Sequence, residues 1–233
     1  MAFTKVVPSF VALLSTLIPT CYAQAPQGAP YADPANNITF STWDIPSSSG
    51  TGPLKYGFAL PPTSLVTDAS DFIGYLQCTP VNGWCGISLG GSMTESLLLV
   101  AYADTNSASK TVKYTLRFTS EYNLPGVYSG NATILPISTD VTADSFTSIF
   151  LCRNCLQWEQ GESVGGASTS GGMLDLAFAV SPEGPTRSEC ADEAVFVRHE
   201  NQGTWVAFVD EGAVNGEYDS WAALAEDAEG DGC

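Results

Sequence analysis

GWCGISLGGSMTESLLLVAY, residues 83–102, contains two short apolar runs, one at residues 86–89 and one that begins at residue 97, joined by a glycine- and serine-rich connection. Runs this short, bounded by turn residues, are typical of β-strands, because helices are longer and repeat their apolar positions with the helical period. Met93 lies in the connection, directly after Gly90, Gly91 and Ser92. The stretch therefore predicts a strand, a loop that carries Met93, and a second strand.

The same pattern continues along the chain, where runs rich in Val, Ile, Thr, Phe and Tyr alternate with clusters of Gly, Pro, Asn, Asp and Ser. Strands at this spacing predict an all-β fold, an antiparallel β-sandwich. A short helix is expected within residues 218–225, and residues 162–172 are expected to form an exposed loop. The strands are predicted at residues 56–60, 72–76, 86–89, 97–103, 111–119, 132–135, 146–151, 173–180, 194–198 and 204–209.

Residues 1–23 have the pattern of a signal peptide: Lys5 precedes an apolar stretch that ends in Cys21-Tyr22-Ala23, a small-residue cleavage pattern. We expect a secreted, extracellular protein with one sandwich domain at residues 24–225 and an acidic C-terminal tail at residues 226–233. No later stretch approaches the roughly 18 consecutive apolar residues that a membrane span requires, so no membrane association is expected.

The charge balance narrows the classes of partner. Without the predicted leader, the chain has 7 Lys and Arg against 25 Asp and Glu, a net charge of −18. Such a charge repels nucleic acid and anionic lipid, which leaves neutral polymers, cations or basic proteins as partners. The same charge is also explained by solubility alone in an acidic secreted environment.

Six cysteines remain after the leader, and an even number in a secreted chain predicts disulfide bonds. A redox dithiol or half of a zinc site is the alternative for the Cys-x-x-Cys sequence at 152–155, but neither a thioredoxin-like pattern nor enough histidines accompanies it. By proximity and exclusion the expected disulfide pairs are Cys78 with Cys85 across a short hairpin, Cys152 with Cys155, and Cys190 with Cys233.

The sequons at Asn37 and Asn131 predict glycosylation sites.

The chain has a single histidine, His199. Blue-copper, most zinc and facial-triad iron sites need more than one imidazole or several thiolates, so these classes are excluded. A Ser-His-Asp hydrolase needs one histidine, but no Gly-x-Ser-x-Gly elbow is present, and no Gly-x-Gly-x-x-Gly nucleotide-binding turn is found either. Taken alone, His199 is better explained as a surface residue in a β-turn.

Met93 and His199 both follow predicted strands, at 86–89 and 194–198. Loops at one rim of a sandwich can converge, so the two side chains could meet on a flat cofactor although 106 positions separate them in the sequence. The glycines before Met93 permit a close backbone approach to a ligand, and the apolar run 97–100 can line one face of a macrocycle. A gap-filling core methionine is the alternative for Met93, and Met173 is the reserve candidate ligand.

The stretch 83–102 resembles the haem domain of fungal cellobiose dehydrogenases and of related secreted cytochromes, in the region that carries the axial methionine. The resemblance runs in order through most of the chain, from about residue 40 to residue 221. Further similar segments are FIGYL at 72–76, Arg117 with Tyr122, YSGNAT at 128–133, CRNCLQW at 152–158, residues 174–178, and His199 followed by Gly203.

The resemblance implies an immunoglobulin-like sandwich with b-type haem at one rim, held non-covalently between Met93 and His199. Arg117 and Tyr122 match positions near the haem edge, where they meet the propionates or else pack at the edge of the core. The chain lacks Cys-x-x-Cys-His, which agrees with non-covalent haem. With both axial positions filled, the protein is expected to transfer single electrons outside the cell and not to convert a substrate.

The resemblance also implies partners. The flavin domain of the dehydrogenase is missing from the sequence, so we expect a free-standing cytochrome that receives electrons from an external flavoenzyme. By analogy, the acceptor is a copper polysaccharide oxidase, a quinone or ferric ion. The competing function is a haem-free carbohydrate-binding or adhesion sandwich, with plant cell-wall polysaccharide as a candidate ligand. In this alternative an aromatic platform that binds the sugar is formed from Trp84, Trp158, Trp205 and Tyr122.

Overall fold

The computed structural model describes residues 27–45, 54–105, 110–187 and 189–225. Within these ranges the regular secondary structure is almost entirely β-strand. The elements are β1 (Ala29–Ala32), β2 (Thr39–Ile45), β3 (Leu54–Ala59), β4 (Phe72–Cys78), β5 (Trp84–Ser88), β6 (Leu98–Asp104), β7 (Thr111–Phe118), β8 (Gly126–Val127), β9 (Thr133–Val141), β10 (Phe146–Arg153), β11 (Gln157–Gln160), β12 (Ser163–Gly166), β13 (Met173–Ser181), β14 (Asn201–Phe208) and α1 (Tyr218–Ala222).

The strands form two six-stranded antiparallel sheets that pack face to face. The first sheet has the order β1-β2-β3-β4-β10-β9, and the second has the order β14-β13-β5-β6-β7-β8. β11 and β12 form a separate two-stranded hairpin. The predicted all-β antiparallel sandwich is confirmed.

Alternation along each strand separates the core from the outer faces of the sheets. In β5 and β6 the paired residues Ile87 and Leu99 are buried in the main core. They meet aromatic side chains of the first sheet, among which Phe58 is fully buried with its ring centroid 4.9 Å from that of Phe72. Complete burial of such a side chain stabilises the fold by about 1.5–3 kcal/mol.

Two predicted disulfide bonds are confirmed, and one of them lies in an unexpected place. Cys78 ends β4 and Cys85 lies in β5, so this bond connects the two sheets and does not close a hairpin. Cys152 and Cys155 form the second bond, with their Cα atoms 5.6 Å apart. Cys190 is also disulfide-bonded, while its predicted partner, Cys233, lies outside the described residues.

The strand predicted at 194–198 is wrong. This segment is irregular, and its β-pairing is a single isolated bridge between Thr186 and Val195. The apolar run resembles a strand because it covers the outer face of the second sheet, where Ala194 and Phe196 pack against Trp84. The burial that produces the pattern is therefore real, but the backbone partners of a strand are absent from the described residues.

The loop predicted at 162–172 is partly wrong, because its first residues form β12 in the hairpin with β11. β1, β2, β8 and β11 were not predicted. The helix within 218–225 is confirmed as α1, which buries Tyr218 and Trp221 against the outer face of the first sheet.

The predicted leader at 1–23 and acidic tail at 226–233 lie outside the described residues. No helix in the described part of the chain is long and apolar enough to cross a membrane. Asn37 and Asn131 are both exposed. The Asn131 side chain also accepts hydrogen bonds from the Tyr128 hydroxyl and the backbone N–H of Glu159, so it contributes to the loop that it occupies.

Candidate functional site

Small side chains on the outer face of the second sheet form the floor of a cavity. Register places Gly86 opposite Ala179 and Ser88 opposite Ala177 on neighbouring strands. Directly opposed residues share a face of the sheet, so these four positions form one shallow patch. The sequence produces it because, within residues 85–88 and 176–180, the inward positions are apolar and packed in the core, while the positions between them are glycine, serine or alanine.

The neighbouring strand β6 continues this floor on one side. On β6, Leu98 and Val100 pair with Ser88 and Gly86 and line the cavity. Their neighbours in the sequence, Leu97 and Leu99, face the sandwich core instead. The run 97–100 thus serves two layers, with Leu98 and Val100 on the outer side of the sheet and Leu97 and Leu99 in the core.

The connection that carries Met93 closes one side of the cavity. The Leu89 N–H donates to the Leu97 carbonyl at 3.0 Å, the Thr94 N–H donates to the Ser92 hydroxyl at 3.2 Å, and the Glu95 N–H donates to the Thr119 carbonyl at 2.9 Å. Met93 is half-buried and lines the cavity. The loop is therefore fixed by its own backbone on both sides of the methionine.

The glycines before Met93 serve packing within the protein. Gly91 has φ +74°, and a Cβ there would stand 3.2 Å from Cβ of Asp175 on β13. A Cβ on Gly90 would stand 2.5 Å from the Ser96 hydroxyl oxygen. Both glycines therefore permit a close approach of this connection to the protein's own strand and loop.

His199 reaches the cavity from the opposite side. It precedes β14, where the Glu200 N–H donates to the Val180 carbonyl at 3.0 Å and aligns the chain with β13. The imidazole is half-buried and its ring centroid lies 6.4 Å from that of Trp84. Burial, and then the charge of Arg198, lower the pKa of His199, which favours the neutral imidazole that binds metals.

Arg117 lies on β7, opposite Leu98, and is 7% exposed. Its Nη2 donates to three backbone carbonyls, those of Ala191, Asp192 and Ala194, at 2.9–3.1 Å. Burial lowers the pKa of the guanidinium, and the nearby Asp192 carboxylate opposes this shift. An arginine nevertheless stays charged in proteins, so the cavity has a buried cation at its edge.

Tyr122 lies at the cavity mouth and is 83% exposed. The loop that carries it is held by Thr119, whose hydroxyl donates to the Glu121 carbonyl at 2.7 Å. Leu124 is exposed beside it and also lines the cavity. The tyrosine hydroxyl is therefore in contact with solvent at the entrance.

All four residues selected from the sequence, Met93, Arg117, Tyr122 and His199, line this one cavity of about 750 Å³. Its volume lies within the range of about 300–1,000 Å³ that is usual for ligand sites. Met173 does not line the cavity; it begins β13 and is exposed. The fold thus brings together two loops that are 106 positions apart in the sequence.

Trp84 was considered only as part of an aromatic platform, and the structure gives it a different place. It is 6% exposed, lines the cavity, and its indole Nε1 is buried without a hydrogen-bond partner in the described part of the protein. Trp158 is buried in the core and Trp205 packs against that core. The predicted platform for a glycan is therefore not formed, since Tyr122 is the one ring of the four that is exposed.

Sequence reasoning missed Phe196, Ala177 and Ala179 as cavity residues. The signal for the two alanines was present, because LDLAFAV at 174–180 alternates large and small residues. Phe196 was assigned to a strand, which concealed its position over the cavity.

The comparisons with known proteins agree with this geometry. Residues 31–220 match the family described as the cytochrome domain of cellobiose dehydrogenase. The cytochrome domain of Myriococcum thermophilum cellobiose dehydrogenase is 43% identical, with a TM-score of 0.80 over 85% of this chain and 96% of that chain. The cytochrome b domain of pyranose dehydrogenase from Coprinopsis cinerea has the same fold, with a TM-score of 0.68 at 24% identity over 86% of this chain and 97% of that chain.

A longer relative is the pyrroloquinoline quinone-dependent pyranose dehydrogenase of Coprinopsis cinerea, which is 30% identical over 150 residues. The match covers 64% of this chain and 19% of the relative's length, so the chain corresponds to a small part of that enzyme. The family match covers most of the chain, in the same region that forms the sandwich and the cavity. The chain belongs to the family of the cytochrome domain of cellobiose dehydrogenase.

Proposed function

We propose that this protein is a b-type cytochrome that carries single electrons, with haem b bound non-covalently in the cavity and Met93 and His199 as the axial ligands. The observation that carries the proposal is the convergence of these two residues on one cavity from loops at opposite sides of it. Family membership supports the cofactor, and the placement of the side chains supports the choice of ligands.

The chemistry of the cavity fits such a group. A flat, apolar macrocycle with acidic edge groups needs a smooth apolar floor, and Gly86, Ala177 and Ala179 supply one. Trp84 lines the cavity beside this floor, and its side chain is almost fully buried.

Arg117 and Tyr122 are the proposed contacts for the propionates. In the described part of the protein, the hydrogen bonds of Arg117 use Nε and Nη2, which leaves Nη1 for an anionic group. A guanidinium that binds a carboxylate forms a strong, charge-assisted hydrogen bond. The exposed hydroxyl of Tyr122 at the mouth can donate a second bond from the solvent side.

The cysteines support non-covalent binding. Covalent attachment of haem requires free thiols that form thioethers, usually within Cys-x-x-Cys-His. Cys152 and Cys155 are bonded to each other, and so are Cys78 and Cys85. Cys190 is disulfide-bonded as well, so every cysteine in the described residues is already used.

The ligand set supports electron transfer. When bound, haem supplies an iron that changes its charge by one, and thioether ligation raises its potential. Met93 and His199 would together occupy both axial positions, so the protein offers no open site for a substrate. The half-buried imidazole, with its lowered pKa, is neutral at pH 7 and available for ligation without loss of a proton.

The relatives support dehydrogenases as the electron donors, because this family occurs as the cytochrome domain of such enzymes. We propose a flavoenzyme or quinoprotein dehydrogenase as donor, and a copper polysaccharide oxidase, a quinone or ferric ion as acceptor. The disulfide bonds support an extracellular location, since such bonds persist in oxidising compartments.

Substitution of the ligands tests the proposal. Met93→Ala and His199→Ala are each expected to abolish the low-spin spectrum of the haem-loaded protein, because each removes one axial ligand. Met173→Ala is the matched control, since Met173 lies outside the cavity and should leave the spectrum unchanged. A normal low-spin spectrum in either ligand variant would contradict the assignment.

A further inference from the structure

The segment that carries His199 has little regular structure of its own. We call residues 189–199 the strap, because they cross the outer face of the second sheet without forming a strand. Backbone pairing of the strap consists of the bridge between Thr186 and Val195, with N···O distances of 2.9 and 3.0 Å. Fixing a segment of this length costs conformational entropy, so other contacts must hold it.

Side chains of β7 supply those contacts. Residues 113, 115 and 117 alternate along the strand and therefore point to the same outer face. Lys113 Nζ donates to the carbonyl of Glu189, and the Thr115 hydroxyl donates to the Asp192 carboxylate at 3.1 Å. Arg117 makes the largest contribution, because its Nη2 donates to the carbonyls of residues 191, 192 and 194.

Arg117 also contacts the part of the strap nearest to His199. Its Cζ lies 5.3 Å from the ring centroid of Phe196, three residues before the histidine. That ring packs edge-on against Trp84 and Tyr102, with centroid separations of 5.6 and 5.8 Å. Arg117 thus contacts both the backbone carbonyls of the strap and the aromatic ring of Phe196.

We propose that Arg117 is a positioning residue for His199, which it holds at the cavity by fastening the strap to β7. The inference rests on the proposed function, since it takes His199 as an iron ligand. The disulfide at Cys190 fixes only the start of the strap, nine positions before the histidine. Arg117 acts on the middle of the strap, between that disulfide and the hydrogen bond from the Glu200 N–H to the Val180 carbonyl, and so contributes to the position of the imidazole.

The test is the rate at which carbon monoxide binds to the reduced, haem-loaded protein, because carbon monoxide can bind only after an axial ligand leaves. Arg117→Met is expected to raise this rate by about tenfold or more, since a hydrogen-bonded charge is lost. Arg117→Lys should give an intermediate rate, because one ammonium cannot serve three carbonyls and Thr115 together. Lys113→Met is the matched control on the same strand, and should react as the wild type does, because its contact is with Glu189, where the disulfide at Cys190 already fixes the start of the strap.

A second measurement separates loss of His199 from loss of Met93. In a Met93→Ala background His199 is the remaining protein ligand, and addition of Arg117→Met should speed haem loss by about tenfold. Thr115→Val separates the positioning role from the proposed propionate contact, because it removes the Nε acceptor and the bond to Asp192 while Nη1 of Arg117 stays in place. It should raise both rates above those of Lys113→Met, and it also tests the inference if Arg117→Met does not fold.

The results distinguish the two claims. A six-coordinate wild type in which Arg117→Met changes neither rate by more than about twofold would overturn the positioning role and leave the proposed function intact. A wild type that takes up no haem would overturn both. Faster carbon monoxide binding with partial rescue by Arg117→Lys supports the inference.

Discussion

Replacement of Gly91 by alanine should destabilise the protein through the loop that carries Met93. Gly91 has φ +74°, a conformation that costs an alanine about 1–2 kcal/mol. The added Cβ would also stand 3.2 Å from Cβ of Asp175 and 3.3 Å from its carbonyl atoms, and overpacking of this kind adds about 1 kcal/mol. The expected total is about 2–3 kcal/mol, which corresponds to a fall of about 5–10 °C in melting temperature.

Gly161 provides the control for this prediction. It has φ +62°, but a Cβ there would meet no atom within 4 Å apart from its chain neighbours. Gly161→Ala should therefore cost only the backbone part, and thermal unfolding of both haem-free variants measures the difference. The argument fails if Gly91→Ala is no more destabilising than Gly161→Ala. Gly91→Ala should also weaken the low-spin spectrum after haem loading, because the loop must move away from β13.

Three further predictions concern the floor, the core and a surface carboxylate. Ala177→Leu should weaken haem uptake in a titration while changing the stability of the haem-free protein by less than about 1 kcal/mol, because the added carbons enter the open cavity. Phe58→Ala should cost about 3–5 kcal/mol in urea unfolding, since its fully buried ring leaves a void between the sheets; a cost below about 1 kcal/mol would contradict this packing. Hydrogen bonds from Ser170 and Ser168 lower the pKa of Asp68 in the folded protein. The ionised Asp68 side chain therefore stabilises the fold above the unfolded-state pKa of about 3.9, and this stabilisation is lost as the pH falls through the pKa of the folded state. Asp68→Asn should therefore lower the melting temperature at pH 6 and not at pH 2, and an equal effect at both would refute the charge-dependent explanation.

The sequence predicts the sandwich well where strands alternate clearly. β5, β6 and β7 were located within two residues because their inward positions are large and apolar. β2 was missed although TFSTWDI is almost wholly buried, because threonine and serine on both faces obscure its alternation. Patterns of apolar residues report burial, and burial without alternation does not separate a strand from a covering loop.

The residues that line the candidate site were partly predictable, and its shape was not. The number of histidines alone directs attention to His199. Most metal sites need more than one histidine, so a chain with a single one is left with few classes of cofactor. The role of Arg117 in the strap depends on carbonyl positions 74–77 residues away, which no local pattern encodes. The error at 194–198 has the same origin, since side chains of another strand hold that segment in place.

The central claim is that Met93 and His199 together bind one haem iron in this cavity. The most direct measurement is the absorption spectrum of the purified protein, first oxidised and then reduced with dithionite, with added haem as a control for incomplete loading. The account predicts sharp α and β bands on reduction, as expected for a six-coordinate b-type cytochrome. Absence of haem uptake, or a five-coordinate spectrum after full loading, would contradict it.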